Sequence, residues 1–208
     1  MGAKLVPAQR TKYTQQDMIK AFVVAWHKEF GEFPKKESIG VLYAQNALET
    51  GGTVSMWNNN VGNVKFVAKS DPTLDEGKEY TMLSNVWEII GGKKVIFNPP
   101  HTATWFRSFP TLADGIADHL VFLKTKRYKT AWSAVESGNP AAFAHLLKIN
   151  LYYTAPEADY VKLMNFYFAK YMKDDTFEKT VKELTVTPVV PTEPPKDTFF
   201  DRFKKILG

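Results

Sequence analysis

Residues 44–52, Ala-Gln-Asn-Ala-Leu-Glu-Thr-Gly-Gly, constrain this chain more than any other stretch. They read as the last turns of a helix that ends on an acid, because Gly51 and Gly52 supply the left-handed backbone that stops a helix. The spacing predicts a helix from about Lys36 to Thr50 that buries Ile39, Leu42 and Asn46, with Glu49 on the same side. The helix dipole presents its negative end at Glu49, which disfavours a carboxylate and keeps the proton on. Burial against Leu42 and Leu48 pushes the same way. A solvated surface glutamate is the ordinary alternative for such a position. Five residues after Gly52 begins an asparagine-rich loop, Trp57-Asn-Asn-Asn-Val-Gly62-Asn63-Val64-Lys65.

Local signals divide the rest of the chain. Thr14 and Asp17 form a capping box ahead of Met18, Ile19, Phe22, Val23, Trp26 and Phe30 at helical spacing, and Gly31 and Pro34 end that helix. Residues 53–110 read as irregular and partly β. Within them Val86–Ile90 and Lys93–Phe97 flank Gly91-Gly92 as a hairpin. Further helices are predicted from Thr111, from Asn139-Pro140 to about Lys148, and from a capping box at Thr154 and Glu157 to about Tyr171. A shorter helix from Thr176 to Leu184 closes a domain of residues 1–184. Residues 185–196 hold four prolines and read as an extended linker. Residues 197–208, with Phe199, Phe200, Phe203, Ile206 and Leu207, read as a short amphipathic helix, either folded back or tethering the chain to a partner protein or a membrane surface.

Composition narrows the chemistry. Cysteine is absent, which excludes disulfides, thiol nucleophiles and thiolate metal sites. The net charge of +5 suits an anionic polymer, but no basic run with interleaved aromatics points to nucleic acid, and none is expected as a partner. Aromatics make up 14% of the chain, which fits either sugar-binding surfaces or an aromatic core. Four histidines share no ligand spacing, so no metal is expected, and nothing calls for a cofactor. No serine lies on a nucleophile turn, and no glycine motif cradles phosphate. Neither a signal-peptide core nor a bilayer-length apolar run is visible, so no export address is expected.

The pattern Ala44-Gln45-x-Ala47-Leu48-Glu49-Thr50-Gly51 with Asn58-Asn59-x-x-Gly62 and a terminal Lys65 resembles the bacterial and phage glucosaminidases related to the flagellar muramidase. Asn63 departs from the usual spacing, lying between the glycine and the Val64-Lys65 end. A second block, Trp87-Glu88 before the glycine turn, then Trp105-Phe-Arg-Ser-Phe109 and Asp114-x-x-x-Asp118-His119, is similar to the same family. A third, Leu151-Tyr152-Tyr153-Thr154-Ala155-Pro156 with Tyr160 beyond it, differs from it at Leu151 and Ala155. The resemblance implies an α+β, mostly α, lysozyme-like fold with a helical domain and a small β-hairpin lobe. It also implies cleavage of the β-1,4 glycan backbone of peptidoglycan, as an N-acetylglucosaminidase or a muramidase.

In that scheme Glu49 is the general acid, Glu88 the second carboxylate, and Tyr152 positions Glu49 or the substrate's acetamido group. Trp57, Trp87, Asn59, Gly62, Tyr153 and Tyr160 are the candidate substrate-binding residues, and the partner is the peptidoglycan strand. The setting that goes with it is a phage virion or host cytoplasm with action in the periplasm. Two other readings use the same residues: a lytic transglycosylase relying on Glu49 alone, and a non-catalytic structural or glycan-binding module.

Overall fold

The computed structural model describes residues 2–52, 55–125 and 127–186. Its body is a bundle of helices. Helix α1 (Gln15–Phe30) starts on Thr14, whose side chain accepts from the Asp17 N–H while Asp17 returns the bond, and stops on the left-handed Gly31. Helix α2 (Lys36–Glu49) runs through the middle. Every residue from Ser38 to Ala47 is buried, because α1 and three later helices, α4 (Lys129–Glu136), α5 (Pro140–Ile149) and α6 (Glu157–Met172), all pack against it. A helix surrounded in this way loses its polar face and buries Gln45 and Asn46 beside Ile39 and Leu42. Helix α3 (Leu112–Lys124), capped by Thr111, lays Ile116, Leu120 and Leu123 on α1. Helix α7 (Thr176–Val186) also packs on α1. No described helix is long and apolar enough to cross a membrane.

The β structure is short and scattered. Strand β1 (Lys4–Leu5) pairs in parallel with β4 (Glu79–Met82), which pairs antiparallel with β7 (Trp105–Ser108). Strands β2 (Arg10–Thr11) and β3 (Met56–Trp57) form a second, two-stranded sheet. Strands β5 (Val86–Ile90) and β6 (Lys93–Phe97) form the expected hairpin, with Gly91 and Gly92 at φ 57° and 76° in its turn. The α+β, mostly helical architecture with a hairpin lobe is therefore present.

Three expectations need correction. Thr154 caps nothing: α6 begins at Glu157 after an extended Pro156 with no side-chain cap bond, and the Glu157 carboxylate pairs with His145 at 2.8 Å. Helix α4 was not foreseen. Helix α7 runs to Val186, so Thr185 and Val186 are helical rather than linker. The remainder of the linker and the amphipathic segment 197–208 lie outside the described residues.

Candidate active site

Helix α2 ends on Glu49, with Gly51 and Gly52 at φ 58° and 72° turning the chain away. The Gly52 N–H reaches back to Ala47 O at 2.7 Å, and Asn63 Nδ2 donates to the Glu49 backbone carbonyl. Asn63, the residue outside the family spacing, thus satisfies a helix-end carbonyl that would otherwise be an orphan. Glu49 keeps a partly exposed edge, but protein encloses its carboxyl. That burial pushes its pKa up to about 7, and a hydrogen bond from the Tyr160 hydroxyl to Oε1 at 2.8 Å holds it back in part. The acid is therefore half-protonated near neutral pH, the condition a proton donor needs.

Tyr160 comes from the first turns of α6 and lies flat on Tyr153, with ring centroids 3.7 Å apart and planes 6° from parallel. The Tyr153 hydroxyl is anchored on the Ala144 carbonyl at 3.1 Å. This corrects the assignment of roles among the tyrosines. Tyr160, expected on the substrate, holds Glu49. Tyr152, expected on Glu49 or on the substrate's acetamido group, donates to Gly62 O at 2.7 Å. Tyr153 braces Tyr160 and presents no free hydroxyl.

The asparagine loop is a clamp, and its side chains face inward. Asn58 bonds the backbone of Pro7 and Gln9. Asn59 accepts from the Tyr13 hydroxyl and donates to Phe109 O, both at 2.9 Å. Asn60 donates to Val64 O and Arg107 O and accepts from the Val64 N–H. Asn58, Asn59 and Asn63 take positive φ, which asparagine tolerates better than most residues. Gly62 is required by contact: a Cβ there would lie 2.3 Å from His119 Cε1. Asn59 and Gly62, the expected substrate-binding residues of this loop, are both engaged in holding it. The Asp118-His119 pair belongs to the same buttress. Asp118 pairs with Arg107 at 2.7 Å, and His119 Nε2 lies 3.0 Å from Gln45 Oε1. Burial pulls the His119 ring down to about 3, so it stays neutral.

Glu88 sits mid-strand on the hairpin, 40% exposed, with Oε1 3.2 Å from Lys65 Nζ. Among the described residues no hydrogen bond or ion pair joins it to Glu49. Lys65, unassigned by the sequence reading, also donates to Ala103 O and lies 4.1 Å from the Phe106 ring centre. Its place two residues after Asn63, at the end of the loop motif, was the available signal. Trp57 and Trp87 line one cleft of about 470 Å³ together with Met82, Leu83, Ser84 and Asn85. Glu49 is not among the residues lining it. Trp105 packs in an aromatic cluster with Phe66 and Tyr80. Among the described residues no group of three acidic or histidine side chains could hold a metal ion.

Comparison with known proteins bears on this geometry. No curated protein matches the chain. Among solved structures it is similar to a peptidoglycan hydrolase mutant from Sphingomonas sp. A1 (17% identity, covering 81% of this chain and 99% of that one, TM-score 0.49). It is also similar to the catalytic domain of the autolysin Auto from Listeria monocytogenes (16% identity, 82% and 89% covered, TM-score 0.49). A third is a C-terminally truncated glycoside hydrolase domain of FlgJ from Salmonella typhimurium (17% identity, 77% and 99% covered, TM-score 0.48). The glucosaminidase family model, described as mannosyl-glycoprotein endo-beta-N-acetylglucosaminidase, matches residues 36–174. That span opens on the first residue of α2 and takes in Glu49, the clamp loop, Lys65, the hairpin and all three tyrosines. The chain belongs to the glucosaminidase family and is a glycoside hydrolase.

Proposed function

We propose that the chain hydrolyses the β-1,4 glycan backbone of peptidoglycan, as an N-acetylglucosaminidase or a muramidase, with Glu49 as general acid. The observation that carries this reading is the Glu49 carboxyl, enclosed, bound by Tyr160 and raised to about 7, at the end of a helix inside the matched segment. An acid so poised donates its proton to the glycosidic oxygen as the bond from that oxygen to the anomeric carbon breaks. The positive charge left on the sugar needs a second carboxylate, and Glu88 is the candidate. It either attacks the anomeric carbon, giving retention, or takes a proton from the attacking water, giving inversion. The first requires carboxyls about 5–5.5 Å apart and the second about 6.5–9.5 Å. The net charge of +5 suits a wall polymer that carries carboxylates. The ring faces of Trp57 and Trp87 along their shared cleft suit sugar units beyond the bond that is cut.

Mass spectrometry of digested cell wall tests the reading. Reducing N-acetylglucosamine ends identify a glucosaminidase and reducing N-acetylmuramic ends a muramidase, whereas 1,6-anhydro ends identify a transglycosylase working with Glu49 alone. Glu49→Gln should cut the rate by about 10³-fold or more, at the upper end of what general acid catalysis contributes. A Gln variant that clears walls at the wild-type rate would sink the proposal.

A further inference from the structure

We infer that Lys65 is a positioning residue for the reaction, its ammonium holding the Glu88 carboxylate in place at the rim of the site. The inference rests on the reading of Glu88 as the second carboxylate.

Lys65 is fixed from several directions. Its backbone bridges to Phe106, its ammonium lies over the Phe106 ring, and it donates to the Ala103 carbonyl. The residues before it are fixed as well: Asn60 clamps Val64 on both backbone sides, and Asn63 binds the carbonyl of Glu49 itself. The stretch from Asn63 to Lys65 therefore touches the catalytic acid at one end and Glu88 at the other.

The hairpin needs such a hold. It forms its own two-stranded sheet, hydrogen-bonded to neither of the others. Among the described residues, the Lys65–Glu88 pair is the one hydrogen bond or ion pair joining residues 86–97 to the rest of the protein. The pair brings Lys65 Nζ within 3.2 Å of Glu88 Oε1, on a carboxylate that is 40% exposed. Lys65 thus fixes the carboxylate while leaving it open to the sugar or the water. Displacing a reacting group by about 1 Å can cost on the order of 10²-fold in rate. A half-exposed ion pair contributes little to stability. Alignment of Glu88, more than folding, is what this pair supplies.

The test is a kinetic cycle on soluble peptidoglycan fragments with K65M, K65R, E88Q and K65M/E88Q. Methionine keeps an apolar stem over Phe106 and removes the charge. K65M should lower kcat by about 10- to 100-fold with KM within about twofold, and K65R should recover most of the loss. If Lys65 acts through Glu88, K65M should cost nothing further in the E88Q background. The double-variant comparison decides the matter even where K65M lowers the melting temperature. K65M at the wild-type rate, or losses from K65M and E88Q that multiply, would overturn the inference while leaving an impaired E88Q, and with it the role of Glu88, intact. E88Q at the wild-type rate would overturn both, and an inactive E49Q would still stand for Glu49.

Discussion

The burial that raises the Glu49 carboxyl carries a cost to folding, and pH exposes it. Its carboxyl titrates near 4.5 in the unfolded chain and about 7 in the folded one. Below the lower value it is protonated in both states and has no effect on stability. As pH rises, the unfolded chain ionises first, so stability falls until the folded group also ionises near 7. Above that the deficit is constant, at up to about 3 kcal/mol. Glu49→Gln should therefore match wild type in urea unfolding near about pH 4 and exceed it increasingly towards about pH 8. An equal midpoint at both ends would show that the acid is not sheltered. If Glu49 is the proton donor proposed above, activity should fall as pH rises through about 7, because the donor loses its proton. Tyr160 bonds the carboxyl and favours its ionised form, so Tyr160→Phe should move that alkaline limb upward. It should also lower kcat by about tenfold as Glu49 loses its orientation. A pH–rate profile records both, and an unmoved limb would mean that the bond does not persist in the working enzyme.

The elements around Glu49 show how far a sequence can be read and where it stops. Thr14, Thr111 and Asn139 announce their helices because a cap acts within three residues of itself. The α2 terminus is legible for the same reason, since Gly51 and Gly52 follow directly on Glu49. Helix α4 escaped because it is eight residues long and starts from Tyr128 without a cap bond. Strands of two to four residues escaped because their partners are distant: Lys4 pairs with Glu79, which no local pattern encodes. The tyrosine roles failed similarly. Nothing near Tyr160 in sequence says that α6 brings it to Glu49, 111 residues away, while Tyr152 turns to Gly62. The asparagines were visible, but not that each would bind its own structure. Gly62 measures the clamp directly. Gly62→Ala would set a methyl against the His119 ring and should destabilise the protein by about 2–3 kcal/mol. Shortening the ring in His119→Ala should relieve most of that added cost. Denaturant unfolding of the two single variants and the double would reveal it, and strictly additive losses would place the conflict elsewhere.

Across the whole molecule, the parts that hold it together and the lobe that carries Glu88 are largely separate. The hydrophobic core draws on the helices, with Met56 from β3 and Val61 from the loop, and includes no residue of the hairpin. The hairpin leaves its own apolar side chains in solvent: Trp87 and Ile96, opposed across its strands, are each 57% exposed, and Ile90 is 52% exposed. Little apolar area would therefore be lost from the core if the lobe were removed. Its base is already drawn together by the Asn85 N–H on Asn98 Oδ1 at 2.9 Å, so a two-glycine link can replace residues 86–97 without opening the body. Such a variant should unfold in a single transition, with a melting temperature lowered by less than about 5 °C, corresponding to about 1–2 kcal/mol for a chain of this size. It should nonetheless lose glycan cleavage by about 10²-fold or more, because the Glu88 carboxylate leaves with the lobe. Calorimetry and wall-clearing assays on the one protein would read both quantities. A large fall in melting temperature would make the hairpin part of the folding unit, and retained cleavage would return all of the chemistry to Glu49.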